Sequence, residues 1–335
     1  MKSLVKEMAP VILEAIKKSD SILLHCHPSP DPDSVGSVLA MKSVLEGMGK
    51  RITAIRGHSS IPKAFSHFPG VQNIFDKSFE EINLKDFDLF IILDSGSPNM
   101  ISRGNPPVFP LEIKTIVIDH HMSNEKYGEI NLVDPTYPAT AQILFDLFKE
   151  WEVELTRDVS INLFMGMYTD TGGFRYHGTT AATLIAASEL ASKAPDFNQF
   201  ILQMEQSHRK EAILYEGLAL SSMKTFCEDK LAISSVSFEA ISKNEITSED
   251  ISGIPVANIL ISASMVQIGI SIAEEKSGEL RVQFRSKDAE NFDVSKLAII
   301  FGGGGHKMAS GARVKSTPEE TIEKIVKTAK LIYNL

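Results

Sequence analysis

Residues 115–121 read TIVIDHH: a β-branched run of strand character that ends, without a turn residue between, on a carboxylate and two adjacent imidazoles. The same event recurs along the first half of the chain. His27, Asp31 and Asp33 follow SILLHC, Asp94 follows LFIIL, and Asp170 follows the helix-like INLFMGMYT. Between these runs lie amphipathic segments such as SVGSVLAMKSVLEGMG and TAQILFDLFKEW. Strand-helix alternation of this kind predicts an α/β domain with a mostly parallel sheet covered on both faces. Ligands of open α/β sheets bind beyond the carboxyl ends of the strands, so the groups that terminate these runs should converge.

Working outward, periodicity changes to long helical spacing in NQFILQMEQSHRKEAILYEGLALSSMKTF, then returns to short strands, a glycine cluster and the closing helix PEETIEKIVKTAKLI. The expected division is a first α/β domain over 1–190, a helical connector over 191–225 and a smaller α+β domain over 226–335. A chain of 335 residues, 43% hydrophobic and 23% charged, has material for two cores. Its formal net charge of -9 argues against gripping long DNA or RNA by phosphate neutralisation. Cys26 and Cys227 give neither a disulfide framework nor zinc spacing and read as inert thiols of a reducing cytosol. Lys6, Glu7, Glu14 and Lys17 interrupt the N-terminal apolar run, which reads as an amphipathic helix rather than an export signal. VANILISASMVQIGISIA carries Asn258, Ser262, Ser264 and Gln267 and reads as a helix followed by a core strand, not a membrane span. A cytoplasmic protein is expected, and an exposed apolar face on the first domain would support a homodimer.

Charge arithmetic gives the convergence a chemical meaning. Asp31, Asp33, Asp94 and Asp170 crowded together would drive their own protonation unless cations sat among them. Two divalent ions balance four carboxylates, and mixed oxygen and imidazole ligands point to manganese or a similar ion. Prolines 28, 30 and 32 in HPSPDPD should hold an extended loop, so that Asp31 and Asp33 face different ions, with Asp94 placed to bridge. Ions roughly 3.5 to 4 Å apart suit in-line displacement at phosphorus, with a bridging water as the source of hydroxide.

HPSPDPDSVGS, LDSG, DHH and YTDTGGFR, in this order, resemble the motifs of the DHH phosphoesterase family, and FRSKD with GGGGHKMASGA resembles its associated C-terminal domain. The two-domain layout is most similar to the nanoRNase/pAp phosphatase group, which acts on short oligonucleotides and 3'-phosphoadenosine 5'-phosphate. The resemblance implies that His27, Asp31 and Asp94 hold one ion, and that Asp33, Asp94, His120 and Asp170 hold the other. His121 would then meet the scissile phosphate or protonate the leaving oxygen, with Asp119 orienting a histidine rather than binding metal. The family loop often has asparagine where this chain has Ser29.

The run Gly302, Gly303, Gly304 and Gly305 opens backbone conformations closed to other residues, and its amides could line an anion cradle completed by His306 and Arg285. It lacks Walker A spacing. In RVQFR, Arg281, Gln283 and Arg285 share one strand face, away from Val282 and Phe284. A cleft for one or two nucleotides is expected between the domains. His25 reads as a structural histidine, His58, His67, His177 and His208 as ordinary surface or interface residues, and Phe164, Met165 and Met167 as helix packing. Alternative functions are a RecJ-type single-strand exonuclease, a pyrophosphate or polyphosphate hydrolase, and a nucleotide-binding regulator without chemistry.

Overall fold

Two units make up the chain, Met1–Gln206 and Ser207–Leu335, in a computed structural model that describes residues 3–102, 107–176 and 178–335. The N-terminal segment forms α1 (Leu4–Lys17), capped by Ser3, with Val5, Ala9, Ile12 and Ile16 buried at helical spacing on one face. There follow β1 (Ser21–His25), α2 (Pro32–Gly47), β2 (Arg51–Ile55), β3 (Leu89–Leu93), β4 (Lys114–Asp119) and β5 (Ile130–Val133). Helices α3 (Thr140–Glu150), α4 (Arg157–Asp170), α5 (Ala181–Lys193) and α6 (Phe197–Glu205) complete the unit.

The sheet runs β2-β1-β3-β4-β5, with every neighbouring pair parallel. This order reverses between β1 and β3, which is where a ligand site is expected in such a sheet. Ile22 and Leu24 of β1, Ile91 of β3 and Ile116 of β4 face a core built with the helices. The opposite face, with Leu23, Phe90, Ile92 and Val117, is covered by Phe79, Ile101 and Ile113 from short 3-10 turns and loops, and no α-helix among the described residues belongs to that cluster.

Helices α2 and α4 meet at backbone distance, since a Cβ on Gly36 would stand 2.3 Å from the Asn162 carbonyl oxygen. Phe164, Met165 and Met167 of α4 are buried core residues, the packing role expected of them.

Where a connector was expected, α6 belongs to the first unit and α7 (Lys210–Ser221) to the second. The second unit continues with β6 (Lys224–Phe226), β7 (Leu231–Val236), α8 (Phe238–Lys243), α9 (Ser248–Gly253), α10 (Val256–Leu260), β8 (Ile268–Lys276) and β9 (Glu279–Ser286). It closes with α11 (Val294–Ile300), β10 (Gly304–Gly305), β11 (Ala309–Lys315) and α12 (Pro318–Tyr333). Its sheet is ordered β10-β11-β9-β8-β7-β6 and is mixed, β7 and β8 being the parallel pair. The stretch from Val256 is a helix and then a core strand, as its polar interruptions predict. Along β9, burial alternates with Val282 and Phe284 inward. No helix among the described residues is long and apolar enough to cross a membrane.

Candidate metal centre

The loop after β1 is shorter than the three prolines suggested. Asp31 is the N-cap of α2, its carboxylate accepting the Ser34 amide at 2.9 Å, and Pro32 already occupies the first helical turn. Proline suits that position because its missing N–H would be unsatisfied there anyway and its φ is preset. Asp33 therefore lies inside the first turn of α2, completely buried, rather than on an extended loop. Ser29 sits at φ 61°, in the left-handed region where asparagine is better tolerated than serine, which gives the asparagine of the related motif a conformational reason.

Asp94, the first residue after β3, also has a left-handed backbone, φ 51°, and its amide still donates to Ile118 on β4 at 3.0 Å. A strained non-glycine residue held by its neighbours is a common mark of a working site. Around it the expected groups do come together. Ligand atoms of His27, Asp31 and Asp94 lie within 4.8 Å of one another, and so do those of Asp33, His120 and Asp170. His27 Nε2 is 3.5 Å from Asp31 and 3.4 Å from Asp94, and His120 Nε2 is 3.6 Å from Asp94 and 3.3 Å from Asp170. Asp94 thus reaches both triads. A third grouping, Asp94 with His120 and His121, overlaps them. Gly166 of α4 makes room for this packing, since a Cβ there would come within 2.6 Å of Asp33 Oδ1.

The protonation pattern is that of a site built for cations. Burial raises the pKa of Asp33, and the nearby Asp94 and Asp170 raise it further. Burial also pushes Asp170 up to about 6, against the attraction of His120. Burial works to lower the pKa of His27, but Asp31 and Asp94 override it and lift the imidazole to about 11. The same contest at His120, with Asp170 and Asp94 as the partners, ends at about 10. His120 Nε2 is buried, points among carboxylate oxygens and makes no well-aligned hydrogen bond. An imidazole nitrogen and carboxylate oxygens held this way form a donor set that fits a divalent ion such as manganese.

Asp119 is fully buried at the end of β4 and accepts a 2.7 Å hydrogen bond at Oδ1 from His121 Nδ1. That contact holds the His121 imidazole above its ordinary pKa despite partial burial, which acts to lower it. Asn124 Nδ2 donates to Asp119 Oδ2 at 2.6 Å and to the Ser95 carbonyl at 3.1 Å. Asn124 therefore supports the carboxylate that orients His121. Sequence reading passed over it, although its place three residues after the imidazole pair was a signal available to find it.

Thr140 was missed as well. Its amide and the Ala141 amide donate to Asp33 at 2.7 and 2.9 Å. His25 is buried against Phe90 and bonds through Nδ1 to the Cys26 carbonyl, a structural histidine outside the cluster. His67 is half-buried and packs its ring on Phe68 and Phe200. His58 and His208 are exposed, and His177 lies outside the described residues.

In the second unit, the glycine run serves the fold first. A Cβ on Gly303 would stand 2.0 Å from the Gly311 carbonyl oxygen, Gly302 has φ 73°, and Gly305 has φ 139° with Ala309 O 2.7 Å from its Cβ position. The amides of Gly302, Gly303 and His306 donate to Ile299, Ala298 and Ala309, so the run does not offer a continuous set of amides to an anion. Gly304 differs. It is exposed, meets nothing within 4 Å and has no left-handed φ, so no packing constraint requires glycine there. Arg285 pairs in register with Ala309, which accepts from the His306 amide, so Arg285, Gly304 and His306 share one end of the sheet.

Residues 21–167 match the DHH family, N-terminal domain, and residues 228–334 match the DHHA1 domain. The chain is 28% identical over 318 residues to a probable bifunctional oligoribonuclease and PAP phosphatase NrnA from Streptococcus mutans, covering 92% of this chain and 94% of that one. It is 27% identical to the bifunctional oligoribonuclease and PAP phosphatase NrnA of Thermus thermophilus, over 92% of this chain and 89% of the other. An exopolyphosphatase-related protein from Bacteroides fragilis has the same fold, with a TM-score of 0.88, 23% identity and 98% of each chain covered.

Proposed function

The chain belongs to the DHH family, with a DHHA1 domain in its C-terminal part, and from that premise we propose that it is a manganese-dependent phosphoesterase. Its proposed substrates are short oligonucleotides, dinucleotides among them, and 3'-phosphoadenosine 5'-phosphate, a reading supported by relatives named as oligoribonuclease and PAP phosphatase. The observation that carries the reading is Asp94, a buried, backbone-strained carboxylate within reach of His27 on one side and His120 on the other. Two ligand groups with one carboxylate in reach of both are what a pair of ions needs.

In this reading His27, Asp31 and Asp94 hold one ion, and Asp33, Asp94, His120 and Asp170 hold the second. Bound manganese would lower the pKa of a water and neutralise charge on the phosphate. The rest falls to the chain's own side chains. Asp119 fixes the His121 ring, so that His121 can meet the scissile phosphate and give a proton to the leaving oxygen near neutral pH. Arg285, Gly304 and His306 are the residues we assign to substrate binding in the second unit, with a backbone approach at Gly304. The net charge of -9 supports short substrates, since a long strand needs a basic track.

The test offers the purified, manganese-loaded protein a dinucleotide, 3'-phosphoadenosine 5'-phosphate, cyclic dinucleotides, single-stranded DNA and pyrophosphate in parallel. Turnover of the first two, abolished by chelation and restored by manganese, is expected. Pyrophosphate as the sole substrate would overturn the reading. So would kcat/KM that holds or rises on oligonucleotides beyond about five residues, the mark of a strand-tracking exonuclease.

A further inference from the structure

Helix α3 begins without a side-chain cap of its own, its N-cap being Ala139. The missing acceptor comes from another helix. Asp33 on α2 takes the amides of Thr140 and Ala141, one on each carboxylate oxygen, at 2.7 and 2.9 Å. The Thr140 hydroxyl, completely buried, donates in turn to Asp94 Oδ1 at 3.1 Å. One residue thus touches a carboxylate from each of the two triads. It fixes Asp33 through the backbone and Asp94 through the side chain.

We propose that Thr140 is a positioning residue for the metal centre, its hydroxyl setting the orientation of Asp94 so that both oxygens of that carboxylate are presented to the ions. The inference rests on the metal-dependent reading above. Its physical basis is that a carboxylate free to rotate must be ordered when an ion binds, whereas one already hydrogen-bonded is not. The hydroxyl is well suited to this. A neutral donor orients the carboxylate without competing for it as an ammonium or guanidinium would. Asp94 has particular need of such a partner, because its side chain projects from a left-handed backbone and must serve two histidines at once.

The experiment compares Thr140→Val, which removes the hydroxyl while keeping shape and both helix amides, with Thr140→Ser, which keeps the donor. Manganese affinity of each full-length protein is measured by titration calorimetry, together with the melting temperature of the chelator-treated form. Weakening of roughly ten- to a hundred-fold in Thr140→Val, with Thr140→Ser close to wild type, is expected for loss of a group that supports a ligand. A residue that merely packed would shift melting temperature in both variants without separating their affinities. Equal affinities for Thr140→Val and wild type, or a Thr140→Ser as weak as Thr140→Val, would overturn the proposal. Should Thr140→Val fail to fold, Thr140→Ala supplies the same comparison. A wild-type protein that binds no manganese would sink the metal reading itself, an outcome distinct from the others.

Discussion

Asp31, Asp33, Asp94 and Asp170 gather in the first unit although burial and mutual repulsion press Asp33 and Asp170 toward protonation. Gly302, Gly303 and Gly305 gather in the second because backbone angles and the approach of β11 permit little else. Both are clusters of one residue type, and the sequence presents them as equally pointed. In the first, Asp33 and Asp170 work against the stability of the metal-free chain and so must be explained by what binds. The second is explained by the chain alone, except at Gly304. A residue type that the fold does not require is the stronger pointer to a ligand.

The harshest way to break this contrast is Asp94→Asn, which keeps a residue tolerant of left-handed backbone but removes the shared charge. Turnover of a dinucleotide is expected to fall by at least about a hundred-fold while circular dichroism reports a folded protein. Activity within a few-fold of wild type at saturating manganese would mean that Asp94 is not shared.

The second comparison sets two neighbouring glycines against each other. Gly303→Ala should destabilise by about 1–3 kcal/mol, because its Cβ has no room beside β11. Gly304→Ala should change stability by less than about 0.5 kcal/mol yet raise KM. Unchanged KM in a stable Gly304→Ala would remove that glycine from substrate binding.

Protonation sharpens the contrast further. His27 and His120 are raised to about 11 and 10 in the folded metal-free chain, against 6.5 when unfolded. The folded state therefore binds more protons between pH 6.5 and about 10, and the stability these histidines supply is lost as pH rises through that window. Manganese must displace the same protons, so its affinity should move the other way. Melting temperatures of chelated and manganese-loaded protein from pH 6.5 to 9.5 should diverge, a range chosen to lie roughly between the unfolded and folded values. Parallel curves would contradict the assignment of both histidines as ligands. The mildest effect belongs to Ser29→Asn, which should add up to about 1 kcal/mol in thermal unfolding by suiting φ 61°.

The strand ends were legible because a carboxylate or imidazole closing an apolar run violates local expectation. That is true of Asp94 after LFIIL and of His120 and His121 after TIVI. The parallel first sheet and the α+β character of the second unit followed from period and length, whereas the mixed order of the second sheet did not. Thr140 was not legible, since a threonine opening a helix is ordinary, and its partner Asp33 lies 107 residues earlier. The helical start at Pro32 is hidden because proline suits both an extended segment and a first helical turn. The loop cover over Phe90 and Ile92 has no periodicity to detect.

The grip of Asp33 on the start of α3 also bears on the order in which the chain acquires its site. A contact spanning 107 residues must meet the closure entropy of a long loop, so it is expected to form late, once the first unit has collapsed around its sheet. Metal offered to a refolding chain therefore meets no site until late. Its effect should appear in slower unfolding and leave the folding rate nearly unchanged, which makes the ion a lock on a finished structure and not a seed for it.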